Sequence, residues 1–181
     1  ETYREGLAKY YQGIGIDVNA NQINITTGGS EALQIALAVT CNPEDEVIVM
    51  EPFYTNYNSF AVQNDVVLKP IPTKIEDGFA LPDVSEFEKL ITPRTKGIMI
   101  CNPNNPTGYL YNRSEMNQIR DLVKKYDLYL FSDEVYREFC YTGAPYISAF
   151  HLEGIEQNVV LIDSVSKRYS ECGIRIGALV T

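Results

Sequence analysis

Gly97-Ile98-Met99-Ile100-Cys101, a periodic polar and apolar segment from Ser114 to Tyr126, then Leu128-Tyr129-Leu130-Phe131: two short apolar runs flank one helix-like stretch. Runs of this length, apolar at nearly every position, fit strands covered on both faces, and the segment between them fits the helical crossover that parallel strands need. The alternation continues in both directions. Upstream, Thr2 to Tyr11 reads as a helix ended by Gly13 and Gly15, Asn24-Ile25-Thr26 as a strand, and the segment through Ala38 as a helix that Ser30 is expected to cap. Glu46 to Met50 and Val66 to Ile71 read as strands, with a turn at Glu51-Pro52-Phe53-Tyr54 and helices near Asn56 to Val62 and Val84 to Ile91. Ser114 is expected to cap the helix that runs to Tyr126, and Val159 to Ile162 and Ile174 to Val180 complete the strands. The fold class is therefore α/β, a mostly parallel sheet flanked by helices. Ligands of such sheets bind beyond the carboxyl ends of the strands.

Composition narrows the function. The chain has 181 residues, 45% of them hydrophobic and 22% charged, enough for one soluble domain with a sizeable core. A formal net charge of -9 argues against nucleic acid as a partner, because phosphate-backbone binding needs a concentrated basic face. Cys41, Cys101, Cys140 and Cys172 lie far apart and His151 is the one histidine, so neither a zinc site nor a disulfide framework is expected. No apolar stretch is long enough to span a bilayer and no signal peptide is recognisable, which gives a cytoplasmic expectation. The sequence opens on Glu1 without a methionine and closes on a strand-like apolar run, so an excised piece of a longer protein is expected.

The chemistry concentrates in three motifs. In Ser164-Val165-Ser166-Lys167 a lysine follows two serines, and Arg175 comes eight residues after it; the layout suits an amine that reaches a carbonyl while a guanidinium and a hydroxyl hold a phosphate. Asn104-Asn105-Pro106-Thr107-Gly108 has the composition of a turn. Ser132-Asp133-Glu134-Val135-Tyr136 sets a carboxylate directly after a buried strand, a costly place without a cationic partner. Together and in this order the motifs resemble the site of the class I/II pyridoxal-phosphate-dependent aminotransferases, the aspartate aminotransferase family of fold type I.

The resemblance implies pyridoxal 5′-phosphate as cofactor and assigns each residue a part. Lys167 forms the Schiff base with the cofactor aldehyde and moves the proton between the substrate's α-carbon and the cofactor. Asp133 partners the protonated pyridinium nitrogen, so that the ring serves as an electron sink. Tyr136 and Asn105 bond the phenolic oxygen, with a cis bond before Pro106 common in the family. Arg175, Ser164 and the helix start Gly29-Ser30-Glu31 hold the phosphate, Glu31 through its N–H with its carboxylate turned away. Tyr54 stacks on the cofactor ring. No metal is implied. Amino-acid and 2-oxo-acid substrates, aspartate-like or broad, and a homodimer follow as expectations. Residues 1–181 would be the large cofactor-binding domain, incomplete at both ends. Without the small domain and its carboxylate-clamping arginine the piece alone would be inactive.

Other readings compete. Ser164-Val165-Ser166-Lys167 also fits the Ser-x-x-Lys pattern of penicillin-binding acylases, but the Ser-Asp-Asn and Lys-Thr-Gly elements that such enzymes need are missing. Cys172 has only His151 as a possible catalytic partner. A carbon–sulfur lyase, a decarboxylase or a cyclopropane-forming synthase of the same fold would share the cofactor residues. A non-catalytic cofactor-sensing domain of a regulator would also share them, but its basic winged-helix segment is not seen.

Overall fold

The computed structural model describes residues 2–181. In chain order the elements are α1 (Thr2–Gly13), β1 (Ile23–Thr26), α2 (Gly28–Thr40), β2 (Glu46–Glu51), α3 (Asn56–Gln63), β3 (Val67–Pro72), α4 (Val84–Leu90), β4 (Thr95–Cys101), α5 (Arg113–Tyr126), β5 (Tyr129–Asp133), β6 (Val159–Ser164), α6 (Val165–Arg168) and β7 (Gly177–Val180). The strands form one seven-stranded sheet in the order β1-β7-β6-β5-β4-β2-β3. Strands β3, β2, β4, β5 and β6 run parallel, and β7 lies antiparallel to both of its neighbours. Pro70 and Pro72 fall on β3, an edge strand, where a missing N–H leaves no central ladder broken.

Strand alternation divides the core in two. Ile48, Ile98, Ile100, Leu130 and Leu161 pack with Leu7 and Tyr11 of α1 and Ile119 and Leu122 of α5 on one face. Val47, Val49, Met99, Phe131, Val160 and Ile162 pack with Leu33 and Leu37 of α2 and Tyr57 and Phe60 of α3 on the other. Gly97 lets the strands close up, since a Cβ there would stand 2.6 Å from the Phe131 ring and 2.8 Å from the Tyr129 carbonyl.

Three local expectations are corrected. Ser30 is not the cap of α2: Thr27 holds that position and Ser30 sits in the first turn, because the backbone turns helical as early as Gly28. Asn112, not Ser114, caps α5, its side chain accepting from Glu115 N while Glu115 accepts from Asn112 N, a reciprocal capping box. The last strand starts at Gly177 rather than Ile174. Arg175 has φ 58°, outside the extended region, and the Ile176 carbonyl is taken by Val165 N and Ser164 Oγ, so residues 174–176 form a turn against α6.

Candidate active site

The carboxyl ends of the parallel strands deliver the motifs to one edge of the sheet. β6 runs directly into α6, the single turn that carries Lys167; β5 ends on Asp133, its last residue rather than the one beyond; β4 ends on Cys101 ahead of the asparagine-rich loop. Because β7 is antiparallel, its entry residue Gly177 pairs with Ser164, and Arg175 arrives at the same edge. The start of α2 completes the ring. A side chain on Gly29 would stand 3.6–3.7 Å from Ile162, the Asp163 carbonyl and Ser164.

These elements enclose a cavity of about 250 Å³. Gly29, Ser30, Tyr54, Asn105, Asp133, Tyr136, Ser164, Lys167 and Arg175 all line it, and of the residues expected at the site only Glu31 does not. Glu31 Oε2 instead accepts from Thr27 N at 2.5 Å, folded back over the helix start. Its own N–H lies where the helix can use the Thr27 carbonyl one turn back, so it is not among the free amides of the first turn. Leu33, Cys101, Val135, Ser166 and Cys172 also face the cavity and were not assigned from sequence.

At the cavity floor Asp133 is buried, and it forms no ion pair among the described residues. Tyr57 OH donates to Asp133 Oδ2 at 2.7 Å, and Val135 N donates to Oδ1 at 3.4 Å. Burial pushes the Asp133 carboxyl up to about 6, more than these two hydrogen bonds offset. Tyr57 escaped the sequence reading, although it follows Tyr54 by three residues and a helix start places such a pair on one side. The Tyr54 and Tyr57 rings meet edge to face at 5.5 Å.

Asn105 Nδ2 lies 3.5 Å from Tyr136 OH, and the Asn105–Pro106 bond is cis. Lys167 is exposed to the cavity with Nζ 5.9 Å from the Tyr136 ring centroid. At the other end Ser164 Oγ accepts from Ser166 N at 3.1 Å, capping α6, and bonds Ser166 Oγ at 2.9 Å. Arg175 Nη1 donates to the Cys172 carbonyl at 3.0 Å and reaches Ser166 Oγ at 3.5 Å. The guanidinium lies directly over Gly28, where any Cβ would overlap it and where φ is 74°.

The donor set specifies its ligand. A buried carboxylate without a cation calls for a positively charged group; serine hydroxyls, first-turn amides and an arginine call for a dianion; an exposed lysine lines the same cavity. Pyridoxal phosphate, with a ring nitrogen, an aldehyde and a phosphate, fits these demands. No cluster of three or more metal-ligating side chains occurs among the described residues, and no helix among them is long and apolar enough to cross a membrane.

Gly177 gives a direct check of this packing. A Cβ there would overlap the Gly28 backbone and stand 2.7 Å from Gly28 O and Gly29 N. Gly177→Ala is expected to destabilise the protein by about 1–3 kcal/mol and to weaken cofactor binding more than tenfold by displacing the α2 start. Thermal unfolding and cofactor titration of the variant measure the two effects.

Comparison with known proteins agrees with the geometry. The chain is 33% identical over 178 residues to the aromatic-amino-acid aminotransferase 2 of Thermococcus litoralis, covering 97% of this chain and 46% of that one. It is 34% identical over 157 residues to the putative aminotransferase YugH of Bacillus subtilis, covering 87% and 40%. The solved aspartate aminotransferase of Thermotoga maritima superposes with a TM-score of 0.92 at 32% identity, covering 98% of this chain and 47% of that one. The chain thus spans about half the length of the relatives it matches. The profile described as Aminotransferase class I and II matches residues 1–181. The chain therefore belongs to the class I and II aminotransferases, whose cofactor is pyridoxal 5′-phosphate.

Proposed function

We propose that the whole protein transfers an amino group between an L-amino acid and a 2-oxo acid, with residues 1–181 as its large cofactor-binding domain and the ten residues named from sequence, less Glu31, as its cofactor site. The observation that carries this reading is the buried Asp133, with no ion pair among the described residues, in the same cavity as Lys167. When bound, pyridoxal phosphate supplies an aldehyde that takes up amino groups and a ring that withdraws electrons. Asp133 holds a proton at the ring nitrogen. Tyr136 and Asn105 donate to the phenolic oxygen, and Tyr54 covers the ring. Ser164, Ser166, Arg175 and the amides of Gly29 and Ser30 bind the phosphate. Lys167 would anchor the cofactor through its amine and would carry a proton to and from the substrate's α-carbon.

Relatives named for aspartate and for aromatic amino acids support a substrate class of common L-amino acids rather than one member of it. The family resemblance supports a homodimer and a cytoplasmic location. The net charge of -9 gives no support to a nucleic-acid partner.

The reading is tested by adding L-aspartate, L-alanine or L-phenylalanine to the cofactor-loaded full-length protein. The expected result is conversion of the aldehyde absorbance to that of the amine form, reversed by a 2-oxo acid. Release of carbon dioxide from any of them, or of a thiol from added S-methyl-L-cysteine, without that reversible conversion would favour the decarboxylase or lyase instead.

A further inference from the structure

On the face of the sheet turned away from the cavity lies a buried charge cluster. Asp133 and Ser164 point into the cavity, so strand alternation turns Asp163 of β6 to the opposite side, where Arg137 joins it to Glu134, the residue just past the end of β5. There Arg137 Nη1 lies 3.1 Å from Asp163 Oδ2, and Arg137 Nη2 lies 3.3 Å from Glu134 Oε2. Arg168 Nη2 donates to both Asp163 oxygens, at 2.9 and 3.1 Å, and Tyr11 OH donates to Oδ2 at 2.6 Å. Arg168 Nε stands 3.4 Å from Glu138 Oε1, which also accepts from Tyr10 OH. Asp163, Glu134 and Arg137 are 2%, 0% and 4% exposed. Burial pushes the Asp163 carboxyl up, but Arg137, Arg168 and Tyr11 outweigh it and hold it below the ordinary range.

The placement of the cluster in the sequence gives it a task. Asp163 immediately precedes Ser164, and Arg168 immediately follows Lys167, so their ion pair closes the two ends of the segment that carries the reactive amine. α6 has four residues, too few to hold its shape by its own hydrogen bonds. Arg137 ties the same Asp163 to the turn that carries Tyr136. Buried ion pairs add little net stability over well-packed apolar side chains, so fixing geometry is the effect that distinguishes this arrangement from an apolar one.

We propose that Asp163, Arg168 and Arg137 are positioning residues that hold Lys167 and Tyr136 in register at the aldehyde end of the cavity. The inference rests on the role given to Lys167 above. In the step concerned, the unprotonated Lys167 Nζ forms a bond to the aldehyde carbon, and the aldehyde oxygen leaves as water. Borohydride then adds hydride to that carbon and solvent supplies the proton on nitrogen, which fixes the label.

The test uses the full-length protein with Arg168→Lys, which keeps the charge but loses the fork, and Asp163→Asn, which keeps the shape but loses the charge. Cofactor affinity is measured in a Lys167→Ala background, where no covalent bond can form. The rate of capture by Lys167 is measured by borohydride quench and peptide mapping. We expect affinity within about threefold of the parent and capture slowed at least tenfold in both variants. Capture within twofold of wild type, or affinity and capture falling in equal proportion, overturns the proposal. Failure of even Arg168→Lys to fold also overturns it, since the cluster would then serve the fold as a whole. A wild-type protein that carries no label on Lys167 defeats the functional reading itself, whereas normal wild-type labelling with unchanged variants defeats this inference alone.

Discussion

Asp133→Asn is expected to slow amino-group transfer by the full-length protein on the order of a thousandfold, about 4 kcal/mol in the barrier, while making the cofactor-free protein more stable at neutral pH. Both effects come from one carboxylate. In the proposed site its charge would hold a proton on the ring nitrogen of the bound cofactor, and a neutral amide would not. Without cofactor, that charge is buried with no cation, and its pKa rises from 3.8 to about 6. A carboxyl whose folded-state pKa is raised binds more protons folded than unfolded, so stability falls as pH climbs from about 4 to about 6 and stays lower above that. The full penalty is up to about 3 kcal/mol. Asparagine removes it and still offers an oxygen to the Tyr57 hydroxyl. Denaturant unfolding of the cofactor-free proteins at pH 4 and pH 8 should therefore show no gain at the first and a gain for the variant at the second. A variant with a near wild-type rate would make Asp133 a structural residue only.

How far the sequence disclosed this arrangement depended on whether the decisive interaction was local. Strands β2, β4, β5 and β6 were readable because a strand buried on both faces must be apolar at successive positions, as Val47 to Met50 and Ile98 to Cys101 are. The caps were misplaced because Thr27, Ser30, Asn112 and Ser114 have similar local chemistry, and only the turn geometry chooses between them. Ile174 to Ile176 read as strand from their apolar character, but Arg175 takes a left-handed backbone to bring its guanidinium over Gly28. Nine of the ten expected site residues converge on the cavity because strand ends bring distant motifs together; Glu31 falls outside it because α2 starts as early as Gly28, although its carboxylate is turned away to Thr27 N as expected. The Tyr57–Asp133 bond and the Arg137–Asp163–Arg168 cluster were not legible, since they depend on which elements are neighbours and which face each residue takes. Alternation alone placed Asp163 opposite Ser164, but nothing local named Arg137 as its partner.

Lys167→Ala is expected to abolish covalent cofactor capture and to lower turnover by about 10⁴-fold, the upper range for loss of a positioned acid–base group, with the nucleophile lost as well. The fold should be nearly indifferent. Lys167 is exposed, its Nζ lying 5.9 Å from the Tyr136 ring centroid, so truncation should change stability by no more than about 0.5 kcal/mol. The phosphate and ring-nitrogen contacts proposed above would not involve this side chain, so non-covalent cofactor binding should survive and be visible by absorbance. Thermal melts, cofactor titration and turnover of the one variant separate these effects. Loss of both fold and binding would show that Lys167 supports the structure rather than the chemistry.

The central claim is that Lys167 is the amine that takes the cofactor, and the most direct measurement is its covalent trapping. The full-length wild-type protein is loaded with pyridoxal phosphate, reduced with borohydride, digested and mapped by mass spectrometry. The account predicts a single reduced pyridoxyl group on the peptide containing Ser164-Val165-Ser166-Lys167, and none on that peptide in Lys167→Ala. A label on another lysine, or a folded wild-type protein that binds the cofactor and carries no label, would contradict it.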